Sequence, residues 1–406
     1  MADRKRFSIL YKGIFVITLC RLLFNFVYGF RWPSEYVCSQ NVFTYRYGFL
    51  PRALIGTIMQ IIFGDNMYSY KANYVIAIGT ALILLGWFIW RVYDLALKKR
   101  CLAAAVIIFW YSLSIYSAYS AHEMGYFEQY GYLLIILYIE LLCRWNFRYM
   151  WFLGAVLSFL AVLISETNLF VICPVIFFIG LAAIMNRTGK LSINNIVFYT
   201  IWYIPSGLLG IFCNKYQTSA FTIASLLSDL RKFNPSYKYA AGLGKLMLQN
   251  RIYWEAQERN DGSIYLPFSF EVIPWQIMLF IIVLLLFVSV FLWMTNRKEA
   301  MILYLTGSTI MLLAAYSINF IALDLDRFRY CGVMMILFYS FFLCLEEKKV
   351  PLAVETPIIQ TWLLASFIIG TILVLVMMDF RLSLFENSIY NENFMILKET
   401  IKSIQW

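Results

Sequence analysis

The chain has 406 residues, of which 62% are hydrophobic and 14% charged, with a mean hydropathy of +0.72; water-soluble globular domains do not reach these values. The formal charge of +10 comes from small Lys/Arg clusters between apolar runs, not from a basic stripe interleaved with aromatics, which argues against nucleic acid as a partner. The eight cysteines show no Cys-x-x-Cys or Cys/His spacing, which argues against structural zinc and a disulfide framework.

The pattern predicts an all-α, polytopic transmembrane protein forming a single integral membrane domain over 1–406. A helical span needs about 20 apolar residues to cross a hydrocarbon core of about 30 Å. About eleven runs qualify: 9–29, 73–95, 102–118, 129–143, 149–165, 168–185, 195–213, 275–294, 301–322, 330–345 and 357–378. Arg4, Lys5 and Arg6 precede the first run, and no small-residue cleavage site follows, so it reads as an uncleaved span. Further basic clusters at 98–100, 144–148, 187–190, 297–298 and 348–349 fall in alternate connectors. Because such clusters are retained in the cytoplasm, this places the N-terminus inside. The charge excess is then topology signal and contact with anionic lipid, and the 19% aromatic content suits interfacial belts.

The outer face comprises a first loop at 30–72, short connectors near His122 and Glu166, a long loop at 214–274, a connector at 324–329 and a C-terminal tail at 379–406. Within the first loop, Ala53–Phe63 is apolar but too short to span, which predicts a short interfacial helix.

Candidate chemistry gathers on that face. Arg46 and Arg52 bracket Gly48 and Pro51 ahead of the interfacial helix, a pattern that suits a phosphate or pyrophosphate clamp, or lipid headgroups. His122 beside Glu123 can be a general base, with Glu123 as eligible for that role, a metal ligand, which a single His with no neighbouring Cys supports poorly, or a solvated loop residue. Glu166 has little room to escape to water, so its pKa rises unless a cation pairs with it. Glu35, after Trp32-Pro33, is a fourth candidate acid. Asp324 and Asp326 can bridge a divalent cation, or be neutralised by Arg327 and Arg329, which follow them; no metal or other cofactor is required by the pattern. Deeper in the chain, Arg21 sits near the middle of the first span and is expected to face protein or a cavity, and Arg91 and Asp94 are spaced to pair.

The Tyr-Arg-Tyr-Gly-Phe-Leu-Pro-Arg segment at 45–52, the late outer loop and the Asp-x-Asp-Arg before the penultimate span resemble the polytopic proteins of bacterial surface-polysaccharide assembly. These are the Wzy-type polymerases and the C-superfamily glycosyltransferases. Arg231 to Gly242 and Arg251 to Gly262 match the Arg-x10-Gly spacing of the polymerases, and Glu35 takes the position of the acid in the first outer loop of the transferases. The resemblance implies transfer of a glycan from a polyprenyl-diphosphate-linked donor on the non-cytoplasmic face. The expected partners are a lipid-linked saccharide, membrane lipid and other polysaccharide-assembly proteins. A transporter or flippase of lipid-linked saccharides is the alternative, favoured by Arg21, by Pro174 inside one span and by Pro205, Gly207 and Gly210 inside another.

Overall fold

The computed structural model describes residues 2–33, 35–49, 52–99, 101–144, 150–215, 228, 275–318, 325–345 and 357–378; some side chains within these ranges, including those of Glu35 and Asp326, lie outside the described set. All regular elements among the described residues are helices. They are α1 Ala2–Gly29, α2 Glu35–Gln40, α3 Ala53–Phe63, α4 Tyr70–Tyr93, α5 Leu102–Leu113, α6 Tyr116–His122, α7 Phe127–Arg144, α8 Met150–Ile164, α9 Asn168–Val171 and α10 Cys173–Thr188. The chain continues with α11 Ile193–Ile201, α12 Ile204–Lys215, α13 Trp275–Met294, α14 Lys298–Ser317, α15 Leu325–Leu345 and α16 Pro357–Met378.

Among the described residues, seven helical stretches are long and apolar enough to cross a membrane, or eight if α5 and α6 form one bent span. They fit a multi-pass membrane protein, because a helix satisfies its own backbone polar groups where no water is present. Local chemistry sets the ends. The Ser69 hydroxyl accepts from the Ala72 amide at the start of α4, and the Ser192 hydroxyl accepts from the Asn195 amide at the start of α11. Gly189, at φ 77°, closes α10 with its amide on the Met185 carbonyl, a left-handed cap that glycine adopts without strain.

Several predicted spans are interrupted. The 168–185 run divides at Ile172, just before Pro174, and the 195–213 run divides at Trp202 and Tyr203, just before Pro205. The 102–118 run bends by 63° between α5 and α6. At that bend the Asn25 amide of α1 donates to the Ser112 carbonyl at 2.8 Å and to the Ser117 hydroxyl at 2.5 Å, so a buried carbonyl freed by the break is satisfied. α1 approaches so closely that a Cβ on Gly29 would overlap the Ala118 carbonyl.

The bundle is centred on α15, whose membrane-length window is 94% buried, against 22% for α1 and for the α11–α12 pair at the periphery. α15 packs against α5, α10, α13 and α14. Its Ser340 hydroxyl lies 2.6 Å from the Tyr304 hydroxyl of α14, and Tyr339 packs on Tyr304 and Phe178.

Polar side chains collect in two layers at opposite ends of the bundle. At one end, Arg91 of α4 meets Glu140 of α7, and Asp94 meets Lys99 where α4 runs on as a π-helix. The same end holds Arg297, which donates to the Leu343 carbonyl and the Asn186 side chain. At the other end are Glu128, Glu166 and Arg327. α7 carries Glu128 and Glu140, twelve residues apart, which is a rise of about 18 Å. α15 runs from Arg327 to Leu343, a rise of about 24 Å.

Candidate functional site

The Glu166 end is assembled from segments that are remote in sequence. Arg52 stands immediately before α3 and takes a left-handed backbone, with φ 65°. From there Nε donates to both Glu166 oxygens at 3.0 Å and Nη2 donates to Oε1 at 2.5 Å. This is a forked guanidinium to carboxylate contact across 114 positions of sequence. Glu166 occupies the turn between α8 and α9, and the next residue, Thr167, donates from its hydroxyl to Glu128 Oε1 at 3.5 Å. Glu128 opens α7 and is buried, with Arg327 Nε 3.6 Å from Oε1. The Arg327 guanidinium lies over the rings of Tyr126 and Phe328 at 4.7 and 4.8 Å.

The turn before α7 carries the second group. His122 Nδ1 lies 2.8 Å from Glu123 Oε1, and Arg31 Nη1 lies 3.5 Å from His122 Nε2. A guanidinium can only donate and a carboxylate only accept, so the neutral tautomer that suits both neighbours has its proton on Nδ1. Gln129 fastens this turn to α7: its Nε2 donates to the Ser120 carbonyl at 2.6 Å and its Oε1 accepts from the Gly125 amide. Tyr126, in the same turn, joins the His122 group to Arg327.

Burial alone would raise the pKa of Glu166, but the charge and hydrogen bonds of Arg52 more than offset it and hold the carboxyl below its ordinary value. Paired in this way, Glu166 is a poor proton acceptor, and Arg52 is already engaged by an anion belonging to the protein itself. The clamp anticipated at Arg46 and Arg52 is therefore divided: Arg46 is exposed, while Arg52 turns toward Glu166. Pro51 lies outside the described residues.

No family model matches the sequence, and no curated protein and no solved structure matches it. The site therefore rests on its own geometry.

Of the residues singled out from the sequence, Arg52, His122, Glu123, Glu166 and Arg327 fall in one polar layer, and Arg329 is buried one helical turn or less from Arg327, beside Tyr316 and Phe328. Glu35 begins α2, but its side chain, all of Asp324 and the side chain of Asp326 lie outside the described residues, as does 216–274 apart from residue 228. Among the described residues no group of His, Cys, Asp or Glu is arranged to hold a metal ion. Glu128 was the residue that sequence reasoning passed over. Its burial against Arg327 and Thr167 marks it as part of the site.

At this end, among the described residues, the cations Arg31, Arg46, Arg52, Lys71, Arg327 and Arg329 outnumber the carboxylates Asp65, Glu123, Glu128 and Glu166. The arginines of this set can pair with an anionic ligand. α3 adds an apolar approach. Ala53, Gly56 and Met59 face the protein, with Gly56 so close to the Phe43 and Asn41 carbonyls that no Cβ fits. Its other face, bearing Ile58, Ile61 and Ile62, is exposed, as are the neighbouring Phe49, Leu208, Ile211 and Phe212.

Proposed function

We propose that the protein is a membrane glycosyltransferase or polysaccharide polymerase that transfers a glycan from a polyprenyl-diphosphate-linked donor at the non-cytoplasmic face of a plasma (bacterial inner) membrane. The observation that carries this reading is the meeting of Arg52, Glu128, Glu166, Arg327 and the Arg31–His122–Glu123 group at one end of the bundle. A lipid-linked donor presents its diphosphate at headgroup depth, so an enzyme acting on it needs cations there and a base for the acceptor hydroxyl. Arg46, Arg52, Arg327 and Arg329 supply the cations. His122, oriented by Glu123, is the base, and its proton is taken through Nε2 once Arg31 turns to the anionic substrate. The exposed apolar face of α3 lies where the lipid chain would run.

The sidedness in this reading follows the eleven-pass topology with a cytoplasmic N-terminus. Its support is that α7, too charged to qualify as a span by composition, still runs between the two polar layers, and that the basic ends Lys99, Arg144, Arg187 and Arg297 belong to helix ends on the Arg91 side. Separate Arg52→Ala and Glu123→Gln changes are expected to abolish polymer or glycan transfer while leaving membrane insertion intact. Unaltered product in both variants overturns the assignment.

The second reading, transport of a lipid-linked saccharide, draws on the 63° break between α5 and α6 and on the breaks before Pro174 and Pro205, since interrupted helices line many transport sites. Movement of a labelled lipid-linked donor across liposomes without its consumption would favour it over the first.

A further inference from the structure

We propose that Arg52 is a shared cation: a lipid-borne phosphate or diphosphate displaces Glu166 from it, and the carboxylate released takes up a proton. The proposal rests on the transferase reading for its biological use, because it makes Glu166 a base that is switched on only when the lipid phosphate is in place.

Three observations support it. First, the Nε/Nη2 edge of the Arg52 guanidinium is occupied by Glu166, so an external anion that takes that edge must displace the carboxylate. Second, the pair is partly open, with side-chain exposures of 19% and 28%, unlike the Arg91–Glu140 pair at the other end, where Arg91 is sealed at 2%. An incoming anion can therefore reach Arg52. Third, α3, the helix that Arg52 immediately precedes, bears an exposed apolar face of Ile58, Ile61 and Ile62, and the segment leading into Arg52 carries the exposed Arg46 and the exposed Phe49, which packs on Phe212. A ligand with an anionic head and an apolar chain matches this arrangement; a free anion matches only its charged part.

Displacement has a definite consequence for Glu166. Among the described residues, the groups that face it are Arg52 ahead of α3, Glu128 of α7 reached through Thr167, Cys213 of α12, and Arg327 of α15 beyond Glu128. Arg52 is the cation in direct contact. Once its charge is compensated by phosphate, burial and the neighbouring Glu128 favour the neutral acid, and the carboxylate binds a proton from solvent or from an acceptor hydroxyl. No bond other than that to the proton changes, and Arg52 keeps its own proton throughout.

The test is binding of farnesyl diphosphate and of inorganic pyrophosphate to the full-length protein in nanodiscs, with empty nanodiscs as the blank. Wild type is compared with Glu166→Gln across pH 7.5 to 4.5, so that titration of the probe itself cancels in the ratio. The expected result is that Glu166→Gln binds farnesyl diphosphate about tenfold more tightly at pH 7.5, that this advantage shrinks toward equality as pH falls because the wild-type complex takes up a proton on the released Glu166, and that Arg52→Ala loses binding. Glu166→Ser is held to the same criteria, so the outcome does not depend on one variant folding. Equal or weaker binding by both Glu166 variants, a ratio that does not change with pH, or full binding by Arg52→Ala overturns the exchange. Equal affinity for pyrophosphate and farnesyl diphosphate overturns the lipid source. These measurements involve no glycan transfer, so their failure is distinct from loss of the transferase reading.

Discussion

Arg91 Nη2 lies 2.5 Å from Glu140 Oε1, and Nε of the same arginine donates to the same oxygen at 2.7 Å. Trp87 Nε1 supplies a third donor to that oxygen at 2.7 Å, and Asp94 and Lys99 extend the group along the π-helical turn. A buried charge cluster of this kind adds little net stability over an apolar replacement, but removing one member leaves the others unpaired. Arg91→Ala is expected to cost about 3–5 kcal/mol by that argument. The double change Arg91→Ala with Glu140→Ala is expected to cost less than the sum of the single changes, because the second truncation removes the stranded carboxylate. Thermal unfolding of the four proteins in one detergent measures both quantities, and strict additivity contradicts the cluster.

The Arg52–Glu166 pair sets a pH dependence whose sign follows from the depressed pKa of Glu166. In the unfolded chain the carboxyl titrates near its ordinary value of 4.5, and in the folded protein it titrates lower. The pair's contribution is therefore complete above pH 4.5 and is lost as pH falls through the lower, folded value. Because both side chains are partly exposed, the loss is expected to be modest, about 1 kcal/mol. Glu166→Gln has no carboxyl to protonate, so its melting temperature is expected to fall less steeply than that of the wild type as pH drops below 4.5. Parallel profiles in the two proteins would remove Glu166 from the account.

The helices at Trp275–Met294 and Pro357–Met378 lie where the sequence puts spans, because uninterrupted Leu/Ile/Val runs bounded by polar connectors have no other stable arrangement in a bilayer. Arg91 and Asp94 were legible as a pair from their spacing alone, and they lie 3.7 Å apart. The stronger partner, Glu140, was not legible, since nothing local links two residues 49 positions apart. The same limit hid the Arg52–Glu166 contact, although Glu166 was recognisable as a carboxylate in need of a cation. The bend after Leu113 was invisible for a different reason. Ser112, Ser114 and Ser117 sit in an otherwise helical apolar run, and what stabilises the break is Asn25, contributed by another helix.

Asn25 is consequently the residue on which the bend depends. Its amide donates to the Ser112 carbonyl, the Ser114 carbonyl and the Ser117 hydroxyl, all in the buried interior. Asn25→Leu removes these donors and leaves buried acceptors unmatched, at an expected cost of about 1–3 kcal/mol. The bend also orients α6, which ends at His122, so under the proposed function the same change is expected to reduce glycan transfer by more than its stability loss explains. Comparing activity per folded molecule with the melting temperature separates the two effects. Unchanged activity in a destabilised but folded variant assigns Asn25 to stability alone.

Sidedness is the remaining quantity that the proposed chemistry needs, and two exposed positions report it from opposite layers. Arg46 precedes α3 on the Glu166 side, and Lys190 follows α10 on the side of Arg187 and Arg297. Cys20 and Cys143 are the exposed native thiols among the described residues, so both are first changed to serine. In intact cells a membrane-impermeant maleimide is expected to label Arg46→Cys and not Lys190→Cys, with labelling of the latter appearing only after permeabilisation. Charge sets this expectation: the basic ends of α4, α7 and α10 lie with Lys190, and their retention in the cytoplasm would put Arg46, Arg52 and Glu166 outside. The reverse labelling pattern would place the Arg52–Glu166 layer in the cytoplasm, where a donor on the outer leaflet cannot reach it.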